Sequence, residues 1–91
     1  MRDKQFVINS IKMDLHRVVN AAGDITKPMP KQSIKEFLNH ALDNFNKIEP
    51  TNLEKALKTQ LAALSTKVDT PMDPHKRLLW TEDVMTVRCR L

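Results

Sequence analysis

The chain has one glycine, one cysteine, no tyrosine and no long apolar run. Each scarcity excludes something. With one glycine there is no Gly-rich loop to cradle a phosphate and no dinucleotide fingerprint, so nucleotide-dependent catalysis is not expected. Few glycines and no tyrosine also argue against a turn-rich all-β fold. Cys89 alone forms no internal disulfide and supplies no zinc-finger spacing. The longest apolar run, Leu61-Ala62-Ala63-Leu64, falls far short of the roughly 20 residues that a membrane-spanning helix needs. Met1-Arg2-Asp3-Lys4-Gln5 leads into only Phe6-Val7-Ile8, not the roughly 7–15 apolar residues and cleavage site of a signal peptide. A cytoplasmic protein with no membrane partner is the expectation.

What remains is an ordinary globular composition. Apolar residues make up 41% and charged residues 29% of the 91, a length suited to a single helical domain over 1–91. Lys and Arg number 15 against 11 Asp and Glu, for a net charge of +4. The pI near 9.5 raises nucleic acid as a partner class to be weighed.

Four amphipathic segments follow one another. The first runs from about Asp3 to Ala22, with Ile8, Ile11, Leu15, Val18, Val19 and Ala22 on one face. Gly23 stands where a helix end accepts a left-handed residue. Pro28 and Pro30 make the stretch from Asp24 to Gln32 a linker. Ser33-Ile34-Lys35-Glu36 has capping-box spacing. It opens the most regular stripe of the chain: Ile34, Phe37, Leu38, Ala41, Leu42, Phe45 and Ile48. Glu49-Pro50 ends that helix, and Thr51-Asn52-Leu53-Glu54 repeats the capping-box spacing. Leu53, Leu57, Leu61, Leu64 and Val68 line the third helix. So short a connection predicts an antiparallel hairpin of the second and third helices. Asp73-Pro74, an N-cap followed by proline at the first helical position, starts a last helix toward Leu91. Residues Val87 to Leu91 also alternate apolar and polar, which leaves a short terminal strand as the competing reading. The predicted fold class is all-α: a small four-helix bundle, up-down-up-down.

Candidate chemistry is sparse. Glu36, His40, Asp43 and Lys47 form one stripe on the second helix, opposite its apolar face, and read as a solvated face with i,i+4 pairs. A metal site there would need ligands from across an interface. The Glu-x-x-His pattern of di-metal bundles is absent, and the glutamates are only four. His16 and His75 lie on other segments, so no histidine has an evident orienting partner. Cys89 sits at a helix C-terminus, where the dipole disfavours a thiolate, although Arg88 and Arg90 pull the other way. Ser10, Ser33 and Ser65 lie in no nucleophile elbow. No catalytic residue, cofactor or metal is expected.

Lys27, Lys31 and Lys35 form a basic loop, the nucleic-acid alternative. In an up-down-up-down bundle the opposite end carries a similar basic excess, so the charge is spread rather than aimed. Phe37 and Phe45 belong to the core stripe, leaving Phe6 and Trp80 as stacking platforms.

The last helix is apolar on two sides. Trp80, Val84, Val87 and Leu91 lie along one line, and Leu78, Met85 and Cys89 along nearly the opposite one. Phe6 and Met13 make a similar excess on the first helix. A helix in a bundle needs one stripe, so two mean either a central helix wrapped by the other three or a stripe that faces another chain, and the second is the expectation. The interface expected from this pattern comprises Trp80, Val84, Val87, Leu91, Phe6 and Met13, joining a twofold homodimer or another protein. The functional expectation is a non-catalytic bundle that acts by protein–protein association, as a homodimer or accessory subunit. A nucleic-acid-associated regulator, and more weakly a metal-binding protein with ligands shared across an interface, are the alternatives.

Overall fold

The computed structural model describes residues 3–91 and contains four helices: α1 (Lys4–Gly23), α2 (Lys31–Phe45), α3 (Asn52–Thr66) and α4 (Pro74–Arg90). No strand occurs among the described residues, and α4 continues through the alternating terminal segment to Arg90. α1 packs on α2 and α4, and α3 packs on the same two, which places the helices in a ring. Hydrogen-bonded partners climb one helix as they descend the next. Ser10 faces Asn44 and Asp14 faces His40, while Arg88 reaches Lys12 and Arg77 reaches Ala22. This is the order that antiparallel neighbours require. The bundle measures 42 × 20 × 19 Å.

The core draws on all four helices. Ile11, Leu15 and Val18 of α1 meet Ile34, Leu38 and Phe45 of α2, Leu57 and Leu61 of α3, and Val84 and Val87 of α4. These side chains are essentially inaccessible to water, and such burial supplies most of the stabilisation of a bundle this size.

Two caps follow the sequence. Thr51 accepts from the Glu54 backbone while the Glu54 carboxylate accepts from the Thr51 backbone, a complete capping box. Asp73 caps α4 by accepting from the Lys76 N–H, with Pro74 in the first turn. The Glu54 carboxylate also meets the Lys4 ammonium at 2.7 Å. That bond first, and the Thr51 N–H second, hold its carboxyl below the ordinary value of 4.5.

Three local expectations are corrected. α2 begins at Lys31, with Pro30 at the cap position and no side-chain cap. Proline gives up no N–H there, and Glu36 accepts a bond from Gln32, one turn earlier, instead of reaching back to Ser33. Leu53 is 54% exposed, because it stands in the first turn of α3, at the rim of the bundle. Gly23 is the last helical residue of α1, and its φ is not positive. No left-handed glycine ends α1, and another residue takes up the Ala22 carbonyl in its last turn.

That residue is Arg77. From the first turns of α4 its guanidinium donates to the carbonyls of Ala22 at 2.8 Å, Lys27 at 2.6 Å and Asp24 at 2.9 Å. It is only 7% exposed. A cation at a helix C-terminus meets the negative end of the dipole, and the planar fork of donors suits several carbonyls at once. One turn on, Trp80 Nε1 donates to the carbonyl of Leu64 in the last turn of α3 at 3.0 Å. The start of α4 thus caps the ends of both its neighbours. In the loop, Thr26 donates its hydroxyl and its N–H to the Asp24 carboxylate. The hydroxyl first, then the N–H, and more weakly Arg77, hold that carboxyl below its ordinary 3.8.

Two predictions follow from this arrangement. Arg77→Ala removes a donor from the buried Ala22 carbonyl and from the loop carbonyls of Asp24 and Lys27. It should lower the unfolding free energy by about 1–3 kcal/mol, read from urea titrations, while the loop after α1 becomes the first site of proteolytic nicking. Gly23→Ala should instead stabilise the protein by about 0.4–1 kcal/mol. A Cβ at this position meets nothing within 4 Å, and alanine narrows the unfolded ensemble. A destabilised Gly23→Ala variant would mean that the position needs a glycine conformation after all.

Candidate interaction surface

The two apolar lines of α4 have separate destinations. Trp80, Val84 and Val87 are buried in the chain's own core, and Leu91 packs against it half-buried. The outward line carries Leu78, Met85 and Cys89, all exposed. The expected interface on Trp80, Val84, Val87 and Leu91 is therefore corrected: α1 and α3, not a second chain, cover that stripe. The physical reason is the ring arrangement, in which the most apolar face of α4 turns inward between two neighbours. Phe6 and Met13 stand as expected on the outer face of α1, 55% and 57% exposed.

The other flank of α4 opens onto a groove along its seam with α3. A cleft of about 410 Å³ near the start of α4 is floored by Leu64, Met72 and Trp80, with Leu79, Lys67 and Lys76 at its edge. A second cleft of about 390 Å³ adjoins it toward the end of α4, with Ala63, Val87, Gln60 and Arg90 in its walls. Leu64 and Asp83 line both. The seam stays open because α3 lies less closely against its neighbours than α1 does.

The metal stripe and the basic loop are drawn into local contacts. Glu36, His40, Asp43 and Lys47 are exposed, as a solvated face requires. Glu36 accepts from Gln32. His40 Nδ1 lies 2.5 Å from Oδ2 of Asp14 on α1. Among the described residues no group of three or more His, Cys, Asp or Glu is placed to hold a metal ion. The expected basic loop is corrected: only Lys27 lies in the loop, while Lys31 and Lys35 belong to the first turns of α2, which starts directly after Pro30. Lys35 pairs with Asp69 at 2.5 Å and Lys27 with Asp24 at 3.8 Å. His16 contacts Asn20 at 3.1 Å, and His75 is exposed at the start of α4.

Sequence reasoning missed the polar seam between α1 and α2. Asp14 is 3% exposed, shared between His40 and Arg17, the latter at 3.5 Å. Below it Asn44, also buried, donates to the Ser10 hydroxyl at 3.3 Å. Arg17 in turn lies over the Phe37 ring, 5.8 Å from its centroid, a cation–π distance. The signal was legible: Asp14 falls between Ile11 and Val18 on the apolar stripe, as Asn44 falls between Ala41 and Ile48. A polar residue in phase with a core stripe must bring a partner, and the partners lie on the facing helix. Among the described residues no buried side-chain nitrogen or oxygen lacks a hydrogen-bond partner.

A double-mutant cycle measures this seam. His40→Ala and Asp14→Asn, made singly and together and unfolded in urea at neutral pH, should show a coupling energy of about 1–2 kcal/mol. Additive effects would mean that Arg17 alone satisfies Asp14.

No helix among the described residues is long and apolar enough to cross a membrane. Compared with protein-family models, curated proteins and solved structures, the chain finds no match in any of the three, and its function must be argued from its own geometry.

Proposed function

We propose that the protein acts by association rather than catalysis, as a homodimer or as an accessory subunit of a larger assembly. The observation that carries this reading is the outward line of α4. Leu78 and Met85 stand two turns apart on one face, each close to half exposed, with the Cys89 thiol continuing the line. Phe6 and Met13 are exposed on α1 as well. Large side chains of this kind lose favourable burial when left in water, and a partner surface would recover it. An unpaired exposed thiol suits a reducing compartment, which supports the cytoplasm as the place of action.

The polar groups support a non-catalytic role. His40 and Asp14 form a hydrogen-bonded dyad across two helices, but the described contacts tie it to Arg17 and not to a nucleophile. The basic loop is not favoured as a nucleic-acid site, since Lys27 and Lys35 each face an aspartate of this chain.

Sedimentation velocity across a micromolar concentration series tests the proposal. The wild-type chain should sediment as a dimer at the upper end of the series. Leu78→Glu with Met85→Glu should sediment as a monomer while keeping its helical circular dichroism and thermal midpoint, because both side chains are already exposed. A wild-type monomer throughout the series would remove the homodimer and leave the accessory-subunit form. A dimer indifferent to both substitutions would move the interface off α4.

A further inference from the structure

The groove between α3 and α4 lies on a different flank of α4 from the line of Leu78 and Met85. Its α4 wall is built from Lys76, Leu79, Asp83, Thr86 and Arg90, spaced three and four residues apart along one side of the helix. From Lys76 to Arg90 that wall runs about 21 Å at the rise of an α-helix, room for about four turns of a helix laid alongside. The floor is apolar, with Leu64 and Trp80 at its deepest and Leu79, 46% exposed, standing on its lip. Trp80 turns its indole N–H to the Leu64 carbonyl, so the ring beside the cleft has its polar atom already satisfied.

The rim has one dominant sign. Lys67 and Lys76 flank one end and Arg90 the other, against a single acid, Asp83. The ion pairs among the described residues are Lys4–Glu54, Arg17–Asp14, Lys27–Asp24, Lys35–Asp69 and His40–Asp14. The groove's three cations take part in none of them.

We infer that this groove binds an amphipathic helical segment of another protein, one with apolar anchors on one face and Asp or Glu flanking them. Charge decides the class of occupant. A second copy of this chain would bring a net charge of +4 and the same cationic rim to the groove, whereas an acidic segment complements the two lysines and Arg90. Shape decides its conformation. A seam between two helices offers ridges and an apolar floor to a third helix, with anchors at i, i+4 and i+7. The inference shares with the preceding section only the premise of association, and uses none of the residues proposed there for self-association.

The test is selection followed by measurement on the full chain. A displayed library of 18-residue helices, randomised along one face, is selected against the protein. The sequences recovered should converge on apolar anchors bordered by acids. The best of them, made without tryptophan, should shift the emission of Trp80, the chain's only tryptophan. It should also perturb the amide resonances of Leu64, Leu79 and Asp83. Lys67→Ala with Lys76→Glu should weaken its binding about tenfold or more, and Leu79→Ser should do so independently. All three side chains are exposed, so the fold is retained, and circular dichroism checks it.

Enrichment no greater than on an unrelated protein, a basic consensus, or affinity untouched by these variants would overturn the inference. So would displacement of the peptide by duplex DNA or phosphatidylserine vesicles at equal affinity, since the rim would then be reading anions in general. Sedimentation of the Lys67→Ala, Lys76→Glu protein separates the two readings. A dimer that persists while peptide binding is lost assigns the groove to another protein, and a dimer lost with it returns the groove to a second copy.

Discussion

The bundle is organised around one buried cation. Arg77 reaches from α4 to the end of α1 and into the loop beyond it, and binds carbonyls at Ala22, Asp24 and Lys27. Removing a guanidinium from water carries a large desolvation cost, which is offset only where several acceptors converge on it. Here they do, because a helix C-terminus and a turn both expose carbonyls that have no intrahelical partner. The bond set joins segments fifty or more positions apart and leaves the loop after α1 little freedom.

Trp80 repeats the device on the other side. Its N–H caps α3 as Arg77 caps α1, one turn apart along the same helix. α4 is therefore the element through which the ends of two neighbours are satisfied, and this explains why its most apolar face turns inward. Two kinds of surface are left over. One is the outward line of Leu78 and Met85; the other is the groove against α3, where packing is looser and cations stand unpaired. Both are properties of the same helix. The functional reading follows from this division of α4 into a core face, an open face and a groove wall.

The polar seam between α1 and α2 has a different consequence. Asp14, His40, Asn44 and Ser10 put hydrogen bonds where apolar residues would pack as well in any register. Polar groups that must be paired favour one axial alignment of two helices, since a slip by one turn would part Asp14 from His40 and the buried Asn44 from Ser10.

The periodicity and caps of the chain were enough to locate four helices, to seat Thr51 and Asp73 as caps, and to identify most of the core that α1, α2 and α3 contribute, because amphipathic spacing and capping are local. They also showed that α4 has two apolar lines and that Phe6 and Met13 stand out. They did not show which line of α4 faces inward. That choice depends on where α1 and α3 lie, and no local pattern records it. Arg77 stands on the Trp80 line, three residues before it, yet nothing local marks it as a buried cation. Asp14 passed unremarked within a core stripe, and Gly23 was assigned a left-handed cap where Arg77 binds the Ala22 carbonyl instead. The partners in each case come from distant segments, brought within bonding distance only when the helices pack. The groove is likewise a product of packing: its walls are two helices separated by a loop, and its width is set by how closely α3 approaches α4.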